Sequence, residues 1–400
     1  MSALIDEPTT AAAPESAAPL EQRRRLARRP GARLGQGRPS TVQTVITVVL
    51  TAFLAWQVVV PLLALVYASL KDVRPDDPSF LSPTFTLQNF IEAFDSRMVE
   101  VTLTTLVFGL ASSVLAIVLG GFLAFAITRT NAWLRGLMAG LVIAQLAFPS
   151  VIYPVAWQYL LSERMGVFNT WWDDATGAGP LTDVNSLPGM VLVQAFEMLP
   201  MVYLFLVPAI SAMNRALEEA AEMAGASRTR ALLDIGLRLS APALVATLLV
   251  AMMRAWDSFA VPWTLGSTQG IFTFSTELFR RTTTPPSDTG LISAFATPMV
   301  VLSVIMVFYY QRFNRAASRY AVMTGKNYRS EPIVLGPVGR VVVAVVGLAI
   351  GTVAILLPTA ILVWISSSHR PSRRWTRSPS PPTRRPSPPT RWSGGSPTAS

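Results

Sequence analysis

The sequence predicts an all-α, polytopic membrane protein, and three observations carry that expectation. Of 400 residues, 51% are hydrophobic and only 14% charged, whereas soluble domains are about 25% charged. The apolar residues gather into runs that reach the roughly 20 residues needed to cross a bilayer. The runs are apolar all round, neither striped nor alternating, which fits helices in lipid and not barrel strands.

Residues 1–40 are rich in Ala, Pro and Arg and read as a disordered, basic cytoplasmic N-terminus. Apolar runs then predict spans at 43–69, 101–127, 137–160, 187–210, 240–265, 291–311 and 339–366. The first begins too late and is too long for a cleaved signal peptide, so it is read as a retained helix. Loop charge orients the chain. Arg23, Arg24, Arg25, Arg28 and Arg29 place the N-terminus inside, and Asp72, Asp76, Asp77, Glu92 and Asp95 place the next loop outside. Arg129 and Arg135 then fall inside, Asp173 and Asp174 outside, and Arg312, Arg315, Arg319 and Lys326 inside again. Arg280 and Arg281 depart from this alternation, beside Glu277 in an outer loop.

Composition excludes several chemistries. There is no Cys, and His369 is the only His, so Cys- or His-based metal sites and a catalytic triad are out. No GxxxxGK[ST] loop is present, so the chain does not itself hydrolyse ATP. No catalytic residue, metal or cofactor is expected. The net charge of +10 reads as membrane topology and not as nucleic-acid binding.

One polar segment stands between apolar runs: residues 218–244, EEAAEMAGASRTRALLDIGLRLSAPAL. Asn214 can begin a short helix over 215–224, with Gly225 at the left-handed position that ends it and Ser227 capping the next helix. Leu217, Ala221 and Ala224 share one face at i, i+4, i+7. A small apolar face with an acidic rim suits docking into a groove, though a solvated connector has the same composition.

The order Glu219-Ala220-Ala221, three residues, Gly225, nine residues, Ile235, one residue, Leu237 resembles the EAA loop (215–239) of binding-protein-dependent ABC importer permeases. The resemblance covers roughly 84–325, with softer matches at TFTLQNFIEAF, AFAITRT and FPSVIYPVAWQYLL. It implies a six-helix type I permease module over 41–330. It also implies that Glu219, Ala220, Ala221, Gly225, Ile235 and Leu237 couple to a cytoplasmic ATPase dimer. Further implied partners are an extracytoplasmic solute-binding protein, the lipid bilayer and a second permease module, supplied as another copy or a separate subunit. Arg238 stands where the family usually has Pro, and Pro242 follows where many members have one.

Charges within spans are candidates for function. Glu197 lies in the fourth span, and Arg254 and Asp257 lie three apart in the fifth. The last two read either as a neutralising pair within one helix or as lining of the pathway, with an ion-coupled carrier as the rival class for Glu197 and Asp257. Pro149, Pro154, Pro200, Pro208 and Pro262 are expected to interrupt spans. Finally, VVVPLLALVYAS (58–69) recurs as ILLPTAILVWIS (355–366), matching Pro61 with Pro358, Val66 with Val363, Tyr67 with Trp364 and Ser69 with Ser366. The repeat predicts that 331–368 opens a second, incomplete module, as in fused iron(III)-type permeases. That likeness makes iron(III) the first expected solute, ahead of polyamines and aminophosphonates. Residues 369–400 read as a disordered Arg/Pro tail or a frame-shifted end.

Overall fold

The computed structural model describes residues 40–71, 84–163, 166–211, 220–227, 230, 236, 238–284, 288–321 and 332–367. The expectations for 1–39 and 369–400 therefore lie outside the described residues, as do those for Asn214, Leu217, Glu218, Glu219, Ile235 and Leu237. Among the described residues the chain is helical, with two isolated bridges, Lys71 to Phe85 and Thr130 to Ile333. Residues through Leu65 form one unit and Val66 onward a second.

The first unit contains most of α1 (Thr41–Ser69), which runs unbroken through Pro61 and exposes apolar side chains all round. Within the second unit, α2 (Gln88–Ala93) approaches the bundle. Its buried Asn89 donates through Nδ2 to the carbonyls of Ser69 (3.0 Å) and Lys71 (2.6 Å). The long α3 (Ser96–Arg129) follows, capped by Asp95, whose Oδ1 accepts from the Met98 N–H at 2.7 Å. One face of α3 is small and buried, with Ser112, Ser113, Ala116, Gly120 and Ala124. The other exposes Leu103, Val107, Leu110, Val114 and Val118, as a lipid-facing surface requires. The small face lets α7 (Leu187–Ser211) approach closely: a Cβ on Gly120 would lie 2.9 Å from Val202 Cγ1.

Among the described residues, five helical stretches are long and apolar enough to cross a membrane: 41–69, 96–129, 187–211, 289–315 and 337–367. The expected spans at 137–160 and 240–265 are broken, as Pro149, Pro154 and Pro262 lead one to expect. The first divides into α4 (Arg135–Ala144), a 3₁₀ turn (Gln145–Ala147), a bend at Phe148-Pro149-Ser150 and α5 (Tyr153–Leu161). Pro149 removes a backbone donor at the bend, and Pro154 sits at the start of α5, where a missing N–H costs nothing. An outer helix, α6 (Val167–Thr176), comes before α7. The second divides at Asp257–Phe259, between α8 (Arg238–Trp256) and a π turn (Pro262–Gly266). Its opened backbone is satisfied from neighbours: Ser275 Oγ donates to the Ser258 carbonyl at 2.7 Å, and Ser258 Oγ donates to Gln194 Oε1 at 2.6 Å.

Pro200 and Pro208, by contrast, do not interrupt α7, which is continuous through both. Pro200 cannot donate to the Phe196 carbonyl, and Gln145 Nε2 takes that role from the neighbouring broken span at 2.5 Å. A proline is tolerated mid-helix where a side chain occupies the carbonyl it frees.

Beyond the fifth-span break, α9 (Phe274–Thr283) opens with a capping box between Thr273 and Thr276. Its Glu277 is fully buried among Arg280 (2.6 Å), Arg281 (3.1 Å) and Arg97 (3.8 Å). This arrangement explains the two arginines that broke the charge alternation: they neutralise a buried carboxylate. Burial pushes the Glu277 carboxyl up, but the hydrogen bonds and charges of Arg280 and Arg281 outweigh it and hold the group below the ordinary carboxylate range. Helix α10 (Thr289–Ala321) follows.

The stretch around Ile333 docks on the end of α3, where the Ile333 N–H donates to the Arg129 carbonyl at 2.7 Å. It leads into α11 (Pro337–Gly351), a π turn (Thr352–Leu356) and α12 (Leu357–Ser367). Gly347 packs against Met138 and Leu123, and Gly351 against Leu141. The repeat seen in sequence extends to local bonding: Ser69 Oγ donates to the Val66 carbonyl (2.7 Å) and Ser366 Oγ to the matching Val363 carbonyl (2.9 Å).

Candidate functional site

The bend in the third span opens a cavity of about 300 Å³ bounded by Gln145, Phe148, Ser150, Tyr153, Glu197, Met201 and Arg254, among others. Four elements meet here: the 3₁₀ turn and bend, α5, α7 and α8. Proline chemistry orients two of the polar side chains. Gln145 Nε2 is held by the Phe196 carbonyl that Pro200 frees. The Tyr153 hydroxyl donates at 2.7 Å to the Ala354 carbonyl, four residues before Pro358. Phe148 packs edge-on against Tyr153, and Trp157 stacks on Phe196.

Two of the three expected intramembrane charges come together. Arg254 Nη2 lies 3.5 Å from Glu197 Oε1, joining α8 to α7. Asp257 does not join them. Helix α8 ends at Trp256, so Asp257 stands past the helix with its N–H on the Met253 carbonyl (3.1 Å) and its side chain exposed. The neutralising pair is therefore interhelical, Glu197 with Arg254, and not Arg254 with Asp257 within one helix. Gln145, Tyr153, Gln194 and Ser258 were missed by sequence reasoning. Their signal is a polar residue inside an apolar run, which a search for charges alone passes over.

The polar segment shows its turn. Gly225 has φ +93°. Its N–H donates to the Glu222 carbonyl (3.0 Å), and the Ala226 N–H donates to the Ala221 carbonyl (3.0 Å). Together these two bonds make a Schellman cap. Ser227 Oγ accepts from the Arg230 N–H at 3.4 Å, the expected start of the next helix. Ala220, Glu222, Met223, Ala224 and Gly225 are exposed and Ala221 is half-buried, so this short helix end presents its small residues outward.

A family model described as "Binding-protein-dependent transport system inner membrane component" matches residues 116–319, just over half of the chain and the whole stretch from the broken third span through the Gly225 turn to α10. The chain belongs to this family. Permeases of this family are transporters that work with an ATPase and a binding protein in the membrane.

This permease is 25% identical over 270 residues to the trehalose transport system permease protein SugB of Mycobacterium tuberculosis (strain CDC 1551 / Oshkosh), covering 66% of this chain and 92% of that one. It is 26% identical over 230 residues to the sulfoquinovosyl glycerol permease SmoH of Agrobacterium fabrum, covering 57% and 74%. It is 26% identical over 241 residues to the spermidine/putrescine permease PotB of Salmonella typhimurium (strain SL1344), covering 58% and 80%. Its fold is similar to a chain of a bacterial alginate ABC transporter solved in complex with an alginate pentasaccharide-bound periplasmic protein. There the TM-score is 0.53 at 16% identity, covering 70% of this chain and 95% of that one.

Proposed function

We propose that this permease forms the solute pathway of an ABC importer and receives the ATPase at the Gly225 turn. The observation that carries the coupling role is the Schellman cap at Gly225, which ends a helix whose exposed residues are Ala, Glu and Met. That turn falls inside the family match and at the EAA spacing. Glu219, Ile235 and Leu237 join the proposal by that spacing. Two ATPases closing on ATP would move the coupling segment, and the six-helix module over 41–330 would alternate between facing inward and outward.

A pathway needs two modules. The likeness of 58–69 to 355–366, in sequence and in the Ser-to-Val bond, supports reading α11–α12 as the opening helix of a second module. The charge alternation supports a cytoplasmic N-terminus. The relatives named above carry sugars or polyamines by their names, so an organic solute of those classes replaces iron(III) as the proposed cargo.

Co-purification with the ATPase in detergent tests the coupling role. The double variant Glu219→Lys, Gly225→Asp should stay inserted and monodisperse and lose the ATPase. Retained ATPase with normal transport would reduce the segment to a solvated connector.

A further inference from the structure

We propose that the cavity beside the Phe148–Ser150 bend is a transit subsite for an uncharged, hydroxyl-rich solute, a saccharide and not a polyamine or an anion. The inference rests on the permease reading and narrows it to a substrate class.

The Tyr153 hydroxyl is committed to the Ala354 carbonyl. Gln145 is 4% exposed, and its Nε2 is held by the Phe196 carbonyl, which leaves Oε1 buried at the cavity without a partner. Glu197 accepts from Arg254 through Oε1 at 3.5 Å and is also approached by the Gln194 side-chain amide, while its buried Oε2 makes no hydrogen bond of full geometry. Buried acceptors are almost always met, so the unmet Gln145 oxygen, beside a carboxylate whose own bonds are long or bent, points to an absent donor. The third polar group is Arg254, whose side chain is 43% exposed and keeps N–H groups beyond the one on Glu197.

A fitting occupant must donate to two acceptors, accept from a guanidinium and add no net charge, because Glu197 and Arg254 already cancel. Sugar hydroxyls donate and accept at each carbon and carry no charge. A protonated polyamine only donates, and brings cations beside Arg254 with no compensating excess of carboxylate. A phosphonate or other anion only accepts, leaves Gln145 unmet, and faces the carboxylate. The volume of about 300 Å³ lies at the lower end for small-molecule sites, and Phe148 and Met201 give it apolar wall against which the C–H faces of a sugar can lie.

The test uses the full chain in nanodiscs with radiolabelled trehalose, competed by unlabelled maltose, spermidine or 2-aminoethylphosphonate. Saturable trehalose binding, displaced by maltose and by neither ion, is expected. Gln145→Met should weaken it at least tenfold, Arg254→Gln should let spermidine compete, and Glu197→Gln should let the phosphonate compete. Displacement by spermidine from the unaltered protein, or no saccharide binding at all, overturns the proposal. Should Gln145→Met not purify, the competition series on the unaltered protein decides alone. ATPase co-purification on the same samples separates the two levels: ATPase retained without sugar binding sinks only the subsite, whereas ATPase absent from the unaltered protein sinks the permease reading.

Discussion

The Tyr153 hydroxyl and the Ala354 carbonyl are 201 residues apart in sequence and 2.7 Å apart in space. The acceptor is free because Pro358, four residues on, has no N–H to offer it. Gln145 stands in the same relation to the Phe196 carbonyl and Pro200. Both donors flank the one bend in the third span, so two proline-containing helices are tied to that bend by the carbonyls their prolines release.

Tyr153→Phe should remove one tie without disturbing insertion. Hydrogen bonds between membrane helices contribute about 0.6 kcal/mol on average and up to about 1.7, and Ala354 is left without its donor. A loss of about 1 kcal/mol, read as a lowered unfolding temperature in detergent, is expected. The same loss should appear as earlier proteolysis between α10 and α11. An unchanged unfolding temperature would mean that the bond does not hold α11–α12.

Glu277 makes stability depend on pH in a stated direction. Its folded carboxyl titrates below the unfolded value of about 4.3. Its contribution is therefore complete above that pH and is lost as pH falls through the lower folded value. Glu277→Gln should destabilise the protein at pH 7 by about 2 kcal/mol, the scale of hydrogen bonds to charged groups. The gap to the unaltered protein should close on acidification below about pH 4. Thermal unfolding from pH 7 to pH 3 reads both; a gap that widens in acid contradicts the assignment.

The interhelical pair predicts a pattern across three residues. Glu197→Ala and Arg254→Ala should each lower the amount of inserted protein, and the double variant should recover much of it. Arg254 is partly exposed, so the single losses should be about 1 kcal/mol, short of the roughly 3–5 kcal/mol for a fully buried pair. Asp257→Ala should leave the level unchanged. Quantitative membrane immunoblots distinguish this from a pairing of Arg254 with Asp257, in which Asp257→Ala would behave like Arg254→Ala.

Orientation has its own test. A membrane-impermeant thiol label at Cys introduced for Gly225 or near Lys326 should react only in inverted vesicles. Cys near Asp77 or Asp174 should react from outside. Because the chain has no Cys of its own, the background is nil. Reaction at position 225 from outside would overturn the topology.

The long helices, the Gly225 turn and the candidacy of Glu197 and Arg254 were legible in sequence, because each rests on local chemistry: run length, the left-handed freedom of Gly, and the cost of charge in lipid. The breaks in the third and fifth spans were expected from Pro149, Pro154 and Pro262, but so were breaks at Pro200 and Pro208 that the structure does not have. Apolar composition is blind to a bend, and proline alone does not mark one. Pro149 lies in a bend while Pro200 lies in a continuous helix, and the difference is whether a distant side chain such as Gln145 takes up the freed carbonyl. Of the two readings of Arg254 and Asp257, the pair within one helix fails for a related reason. Spacing of three assumes that the helix continues, and α8 stops one residue before Asp257.

The tie between Tyr153 and Ala354 also sets an order of events during synthesis. At about 5–20 residues per second, position 354 leaves the ribosome roughly 10–40 s after position 153. Throughout that interval the bend in the third span is already in the membrane with a buried hydroxyl and no acceptor from the seventh helix. The nascent permease therefore passes through a stage in which the Tyr153 hydroxyl beside its cavity lacks the tie to the seventh helix. Quality-control proteases and insertion chaperones have their best access then, and any stop in translation between those two codons would leave the chain in that state permanently.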